Sequence, residues 1–391
     1  MAFDPNVVMI VGAGFSKTAG LPLANEFTQR LLSPTLLKSG PSIRQVEFLR
    51  KFIDDTFNGG AATTVEQWPE LEDIFTLVDL SANTGHHLGT SYSAAKLRLV
   101  RRAMIVRIVR MLQQAYNDHL RSRGAHAKLL GALFDELNLG ETAILSMNWD
   151  MVIERGIALR QKVDRIDYGN DASDAVFVNG KVNLRPEAPP SAKKLHLLKP
   201  HGSINWLYCD ACRELFWVKP EQTESVAQTL FQERDWKALL NVDSVSEIPR
   251  CLEPHCPHCE AQALGTRIAT FSFRKALDFP MHAATWRTAE SYLKNSLHWI
   301  FFGYSMPPAD FEFKYLLKRV QLTEKIQPRI TVITGGGAKA SLETVARYQK
   351  FFGSISNGRI FTDGLNDEVI DHLRNIGALS ESSPRSPRRP R

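Results

Sequence analysis

Four of the five cysteines stand in two Cys-x-x-Cys pairs, Cys209-Asp-Ala-Cys212 and Cys256-Pro-His-Cys259. Thiolates at this spacing converge on one tetrahedral cation, and a closed four-thiolate site is structural rather than catalytic. The pattern reads as a structural Zn2+ site and not as disulfides. Residues 213–255 separate the pairs, so a loop is inserted between them. Cys251, His255 and His258 are alternatives for one of the thiolates. A second kind of chemistry is offered by Gly12-Ala13-Gly14-Phe15-Ser16, which follows an apolar run. Glycines after a strand let backbone N–H groups approach a pyrophosphate, and a following helix start favours its charge. The dinucleotide fingerprint Gly-x-Gly-x-x-Gly needs glycine at position 17, which is Lys17, and this counts against an ordinary dehydrogenase.

Three further groupings follow apolar runs. Ser146-Met-Asn148-Trp-Asp150 sets a carboxamide and a carboxylate two residues apart, as for a shared pocket or an Asx turn. Lys199-Pro-His201-Gly202-Ser203 exposes a histidine whose ordinary pKa of about 6.5 suits a general base. Gly303-Tyr-Ser305-Met-Pro-Pro-Ala-Asp310 resembles another backbone cradle for a ribose or a phosphate.

These groups must be positioned by the segments before them. The runs 7–12, 142–147, 195–200, 297–302 and 329–334 are short, apolar and end in glycine or polar residues, with a short edge strand at 359–361. That is the signature of buried parallel strands, whose ligands bind beyond their carboxyl ends. The expected fold class is therefore α/β, a Rossmann-like parallel sheet interrupted by a helical module and a small zinc-binding module. The boundaries expected are 1–27 with 140–208 and 265–375 for the discontinuous Rossmann-like domain, 28–139 for the helical module and 209–264 for the zinc module. In the helical module, 70–80 has helical spacing. The stretch 94–116 reads as an amphipathic helix with one buried face and one solvated, arginine-rich face, a surface available for assembly.

The chain has 391 residues, 43% hydrophobic and 23% charged, the balance of a globular protein. It contains no apolar run of the roughly 18 residues a membrane span needs. Its start lacks a signal peptide's basic region and cleavage site, so a cytoplasmic protein without a membrane partner is expected. The net charge of +6 is uneven, because residues 376–391 carry four arginines and one glutamate. That segment is expected to be a disordered basic tail, and nothing else supports direct nucleic-acid binding.

Taken in order, the motifs resemble the sirtuin family: Gly12-Ala13-Gly14-Phe15-Ser16 with Gly20-Leu21-Pro22, Ser146 to Asp150, His201-Gly202, the two cysteine pairs, then Gly303-Tyr304-Ser305. The resemblance covers 7–27 and 142–375. One departure stands out, since protein-deacylating sirtuins continue with Asp-Phe-Arg where this chain has Leu23-Ala24-Asn25-Glu26-Phe27. The Gly-Tyr-Ser-Met-Pro-x-x-Asp segment and the helical insertion look more like sirtuin-like domains of bacterial antiphage systems. That likeness implies NAD as substrate, hydrolysed to nicotinamide and ADP-ribose, in an oligomer or beside a HerA-type ATPase or an Argonaute. By the same analogy His201 is the general base and Asn148 orients water and ribose. Asp150 holds the carboxamide, while Gly12, Ala13, Gly14 and Ser16 line the pyrophosphate. Gly303 and Ser305 meet phosphate or the adenosine ribose, and Gly335 or Asp363 reaches adenine. The alternatives are an NAD-dependent protein-lysine deacylase and a non-catalytic sensor of NAD or ADP-ribose.

Overall fold

A computed structural model of the chain describes residues 3–33, 40–62, 64, 67–121, 124–189, 191–229, 231–241, 254–265, 280–323 and 327–380. In chain order the strands are β1 (Val7–Val11), β2 (Thr142–Ser146), β3 (Arg165–Asp167), β4 (Ser173–Val178), β5 (Lys181–Leu184), β6 (Lys194–Leu198), β7 (Trp206–Cys209), β8 (Leu215–Val218), β9 (Leu264–Gly265), β10 (His298–Phe302), β11 (Arg329–Ile333) and β12 (Ile360–Phe361). The helices are α1 (Ala13–Lys17), α2 (Ala24–Leu31), α3 (Gly40–Phe57), α4 (Leu71–Thr84), α5 (Ala94–Arg121), α6 (Ala125–Glu136), α7 (Val152–Gln161), α8 (Thr223–Thr229), α9 (Glu233–Leu240), α10 (Pro280–Asn295), α11 (Phe311–Thr323), α12 (Ala338–Phe352) and α13 (Asp367–Asn375). Among the described residues, no helix is long and apolar enough to cross a membrane.

The expected α/β class is borne out. Seven parallel strands lie in the order β12-β11-β10-β1-β2-β6-β3. The central strands are apolar at successive residues because both faces are covered. Val7, Met9 and Val11 join one core, with Ile300 and Phe302 of the neighbouring strand. Val8 and Ile10 join the opposite core, with Trp299, Phe301, Leu317 and Tyr348. After β1 the chain builds outward through β2 and β6, then returns to place β10 on the other side of β1. The carboxyl ends of β1 and β10 therefore flank the point where strand order reverses, where open α/β sheets form their crevice.

Two boundaries shift. The second sheet, ordered β5-β4-β8-β7-β9, recruits residues 173–184 and Trp206–Tyr208, which the sequence reading placed in the Rossmann-like domain. The apolar WLYC and LFWV runs around Cys209-Asp-Ala-Cys212 form an antiparallel hairpin, and β4 pairs along the free edge of β8. The expected tail also starts too early. Ala378 and Leu379 are buried, Leu379 bridges to Leu137, and the Ser380 amide donates to the Glu136 carbonyl. The arginines of the tail lie outside the described residues, as does Cys251.

The arginine-rich helix differs from its reading as well. α5 runs through the middle of the helical module, and Ala103 to Val109 are buried without interruption. Three of its arginines are engaged by the protein, while Arg98 stays exposed. Arg101 pairs with Asp79 at 2.7 Å, Arg102 with Asp235, and the buried Arg107 donates to the Leu31 carbonyl at 3.1 Å. The expected solvated face is thus largely covered, because α8 and α9 from the zinc-side segment supply carboxylates and packing there.

The turns after β1 and β10 press backbone against backbone. The Gly14 amide donates to the Gly303 carbonyl at 2.8 Å, and the Gly12 amide to the Phe302 carbonyl at 3.1 Å. Gly303 has φ +62, and a Cβ there would lie 2.1 Å from the Phe15 nitrogen. Main chain cannot yield as a flexible side chain would. Gly303→Ala is expected to destabilise the fold by about 2–4 kcal/mol, read as a lowered urea midpoint. An unchanged midpoint would contradict this packing.

Candidate active site and metal centre

The carboxyl ends of β1, β2 and β6 bring three sequence-separated groups together. Ser16, nearly fully buried in α1, donates its hydroxyl proton to Asp150 Oδ2 at 2.6 Å. The same hydroxyl accepts from Asn148 Nδ2 at 2.9 Å. Asp150 Oδ1 accepts the Val152 amide at 3.0 Å, which orients the carboxylate at the start of α7. The Asx turn expected as an alternative is thus present at Asp150. His201, expected to be exposed, is instead buried at the end of β6, its Nδ1 lying 3.3 Å from the Met147 carbonyl. A proton on Nδ1 satisfies that carbonyl and puts the lone pair on Nε2, the state a general base needs.

The glycines have a packing role besides the one expected of them. The amides of Gly12 and Gly14 are taken by the carbonyls of Phe302 and Gly303, so these two glycines serve close approach of the turns. Ala13, half-buried between them, begins the five-residue α1. Lys17, at the position where a dehydrogenase would have glycine, is exposed and pairs with Glu26 at 2.6 Å. That carboxylate also accepts the Leu23 amide and so closes the start of α2. Gly303 touches Gly14 directly, and Ser305 follows it on the exposed side of the turn. The turn is held by Tyr304, whose hydroxyl donates to Asp310 at 2.7 Å and whose carbonyl accepts from Tyr348 at 2.7 Å. Gly335 and the exposed Asp363 sit farther along the same edge, at the ends of β11 and β12, beside an open groove lined by Gly336, Gly337, Lys339 and Glu343.

The sequence reading assigned no role to the residue that ties the site together. Lys199 is completely buried and its ammonium donates three hydrogen bonds. They go to Glu154 Oε1 at 2.9 Å, to Ser203 Oγ at 2.7 Å and to the Asp150 carbonyl. Ser203 Oγ in turn donates to the Trp149 carbonyl, which also accepts the Ile204 amide. The 147–150 and 201–204 segments are thereby laced together. Burial pushes the Glu154 carboxyl upward, and the Lys199 charge opposes that shift. The signal was the lysine at the end of an otherwise apolar run, which has no hydrophobic reason to be there. Lys199→Met would strand the Glu154 carboxylate without its cation. A loss of about 3–5 kcal/mol in urea unfolding is expected, partly recovered in Lys199→Met/Glu154→Gln. A single variant as stable as wild type would contradict the pairing.

The four paired cysteines meet as expected. Their sulfur atoms all lie within 4.8 Å of one another, with Cys209–Cys259 and Cys212–Cys256 each at 3.7 Å. Tetrahedral bonds of 2.3 Å place sulfurs about 3.8 Å apart, so the cluster has the dimensions of a four-thiolate zinc site. Both pairs use the same turn: the Arg213 amide returns to the Cys209 carbonyl and the Glu260 amide to that of Cys256, each residue with positive φ. Withdrawal from water, then the neighbouring thiols, push the Cys212 thiol up to about 12 without a cation, a tendency a bound dication reverses. His255 pairs with Gln262 at 3.0 Å and His258 offers its amide to Cys256 Sγ, so neither displaces a thiol from the cluster. One zinc per chain is expected by elemental analysis, with loss on Cys259→Ser. Metal-free protein of native stability would contradict a structural site.

No family model matches the chain, and no curated protein matches it. Solved structures similar to it include a Sir2 with a p53 peptide and NAD+, at 12% identity and TM-score 0.38, covering 95% of this chain and 92% of that one. A Sir2 in complex with an inhibitor, 2'-O-acetyl-ADP-ribose and a deacetylated p53 peptide matches at 14% identity and TM-score 0.32, over 95% and 93%. A sirtuin from a study of substrate affinity matches at 14% and TM-score 0.31, over 95% and 92%. At these scores no activity passes from those proteins to this one.

Proposed function

We propose that this chain hydrolyses NAD+ to nicotinamide and ADP-ribose. The observation that carries the reading is the hydrogen-bonded set Ser16, Asn148 and Asp150, beside His201, at the crevice edge of the parallel sheet. The ordered motifs shared with the sirtuin family supply the identity of the substrate. Hydrolysis rather than deacylation is favoured by Leu23 to Phe27, which replace the Asp-Phe-Arg of protein-deacylating sirtuins.

In this reading the ribose C1–nitrogen bond breaks first, and its electron pair neutralises the pyridinium. Nicotinamide therefore leaves without a general acid, and the ribose acquires oxocarbenium character. A water oriented by the Asn148 side chain adds to C1, and His201 Nε2 takes its proton, directly or through a ribose hydroxyl. Ser16 fixes Asn148 and Asp150 relative to each other, and Asp150 holds the carboxamide. Gly12, Ala13, Gly14 and Gly303 form the wall against which the pyrophosphate rests, and Ser305 reaches phosphate or ribose from the exposed rim.

The same resemblance supports a reaction in the bacterial cytoplasm, as NAD depletion in antiphage defence. Unregulated NAD loss would kill the host, so control by oligomerisation or by a partner such as a HerA-type ATPase or an Argonaute belongs to the proposal. Nicotinamide release should fall by about 100-fold or more in Asn148→Ala and in His201→Ala, with circular dichroism unchanged. Normal turnover in either variant would overturn the mechanism. Release that requires an acyl-lysine peptide would make the protein a deacylase, and tight NAD binding without product would make it a sensor.

A further inference from the structure

At the amino ends of β10, β11 and β12, the end of the sheet opposite the crevice, four basic side chains gather without an acid. Side chains alternate across a sheet, and Ile300, Ile333 and Phe361 point to the face covered by α13. His298, Arg329, Thr331 and Arg359 share that phase, with His298 and Arg329 as register partners. His372 descends from α13, its ring 5.0 Å from that of Phe361. Arg359 Nη1 donates to Thr331 Oγ1 at 3.1 Å and lies 3.5 Å from His298 Nδ1. Thr331 is completely buried, and its own proton goes to His372 Nε2 at 3.2 Å. These contacts make His298 accept at Nδ1 and His372 accept at Nε2, so each ring keeps one N–H to offer. Among the described residues none of the four basic groups forms an ion pair, Asp371 beside His372 being taken by Arg374 at 2.8 Å.

We propose that this cluster is a binding site for a phosphate-type oxyanion. The hydrogen-bonding capacity left over is of one kind: the Arg329 guanidinium, Nε and Nη2 of Arg359, Nε2 of His298 and Nδ1 of His372 are all donors. A metal cation finds no ligand set there, since both arginines repel it. A tetrahedral oxyanion offers acceptors on every side, and guanidinium groups match its geometry in pairs of hydrogen bonds. Without an anion the groups work against one another. Burial, then Arg359, Arg329 and His372, push His298 down to about 4. Burial and the Arg359 charge lower His372, and burial and the Arg329 charge lower Arg359. The Arg359–Thr331–His372 chain holds its donors in place before any ligand arrives, and a bound anion would tie α13 to three strands. About 16 Å of β10 separates His298 from Gly303, so the site is distinct from the crevice and independent of the NAD reading.

Calorimetric titration of the full chain with inorganic phosphate, against chloride at matched ionic strength, tests this on wild type, Arg359→Gln and Arg329→Gln. Wild type should bind phosphate, and the imidazole NMR resonances of His298 and His372 should move as it does. Arg359→Gln should weaken phosphate by about tenfold or more. Arg329→Gln removes an exposed side chain, should also weaken it, and supplies the test if the first variant does not fold. Glycerol phosphate distinguishes the sources: affinity equal to that of inorganic phosphate assigns the site to a phosphorylated small molecule, and weaker affinity assigns it to free phosphate. Three results would overturn the proposal: no phosphate binding, an equal response to chloride, or wild-type phosphate affinity in both variants, which would put the anion elsewhere.

Discussion

A single buried ammonium holds the candidate site at the sheet edge in shape. Lys199 spends all three of its protons on partners from different segments, Glu154 on α7, the Asp150 carbonyl and Ser203. Such a charge is tolerated in the interior only because every donor is satisfied and the carboxylate is in contact. The consequence reaches outward. Asn148 and Asp150 lie on one of the laced segments and His201 on the other, so their relative positions follow from the core rather than from flexible loops. Asn205 and Tyr168 extend the network toward the second sheet, with Asn205 Nδ2 donating to the Val218 carbonyl at 2.9 Å.

The second constraint is steric. Crossing from β1 to α1 beside the turn after β10 leaves no room for side chains at Gly12, Gly14 or Gly303. The close approach brings Ser16 over the end of β2, where it meets Asn148 and Asp150. A glycine motif of this kind can therefore be read in two ways, as a phosphate cradle or as a packing joint. Here the hydrogen bonds assign the amides of Gly12 and Gly14 to the joint, and a ligand would meet the turn through its remaining surface.

Much of the large sheet was legible because its strands are apolar on both faces and end in glycine or polar residues. β3 was not, since Arg165–Asp167 is short and half-exposed. β4 and β5 were not either, because of their residues only Ala175 and Val182 are buried, in the small core of the cysteine-bearing hairpin. The thiol cluster was fully legible, as two knuckles of fixed spacing admit few other geometries. The residues gathered at the sheet edge, Ser16, Asn148, Asp150 and His201, were each singled out by the sequence, and the residues that support them were not. Lys199 and Glu154 stand close in sequence to His201 and Asp150, but that they pair with each other is set by tertiary packing, of which spacing along the chain carries no trace. The arginines of α5 show the same limit: helical periodicity cannot reveal that Asp79 and Asp235 wait on facing helices.

Together these features describe a rigid crevice edge with a carboxamide, a carboxylate and a histidine fixed around it, and a metal-sized thiol cluster on a separate small sheet. The central claim is that water attacks the ribose carbon of NAD within that edge. The most direct measurement is product analysis by mass spectrometry after incubating the full-length protein with NAD+ in 18O-labelled water. The account predicts free nicotinamide and ADP-ribose carrying one 18O at the ribose C1 hydroxyl, formed without any peptide. Intact NAD+ after exhaustive incubation, or nicotinamide appearing only with an acyl-lysine peptide and as an acylated ADP-ribose, would contradict it.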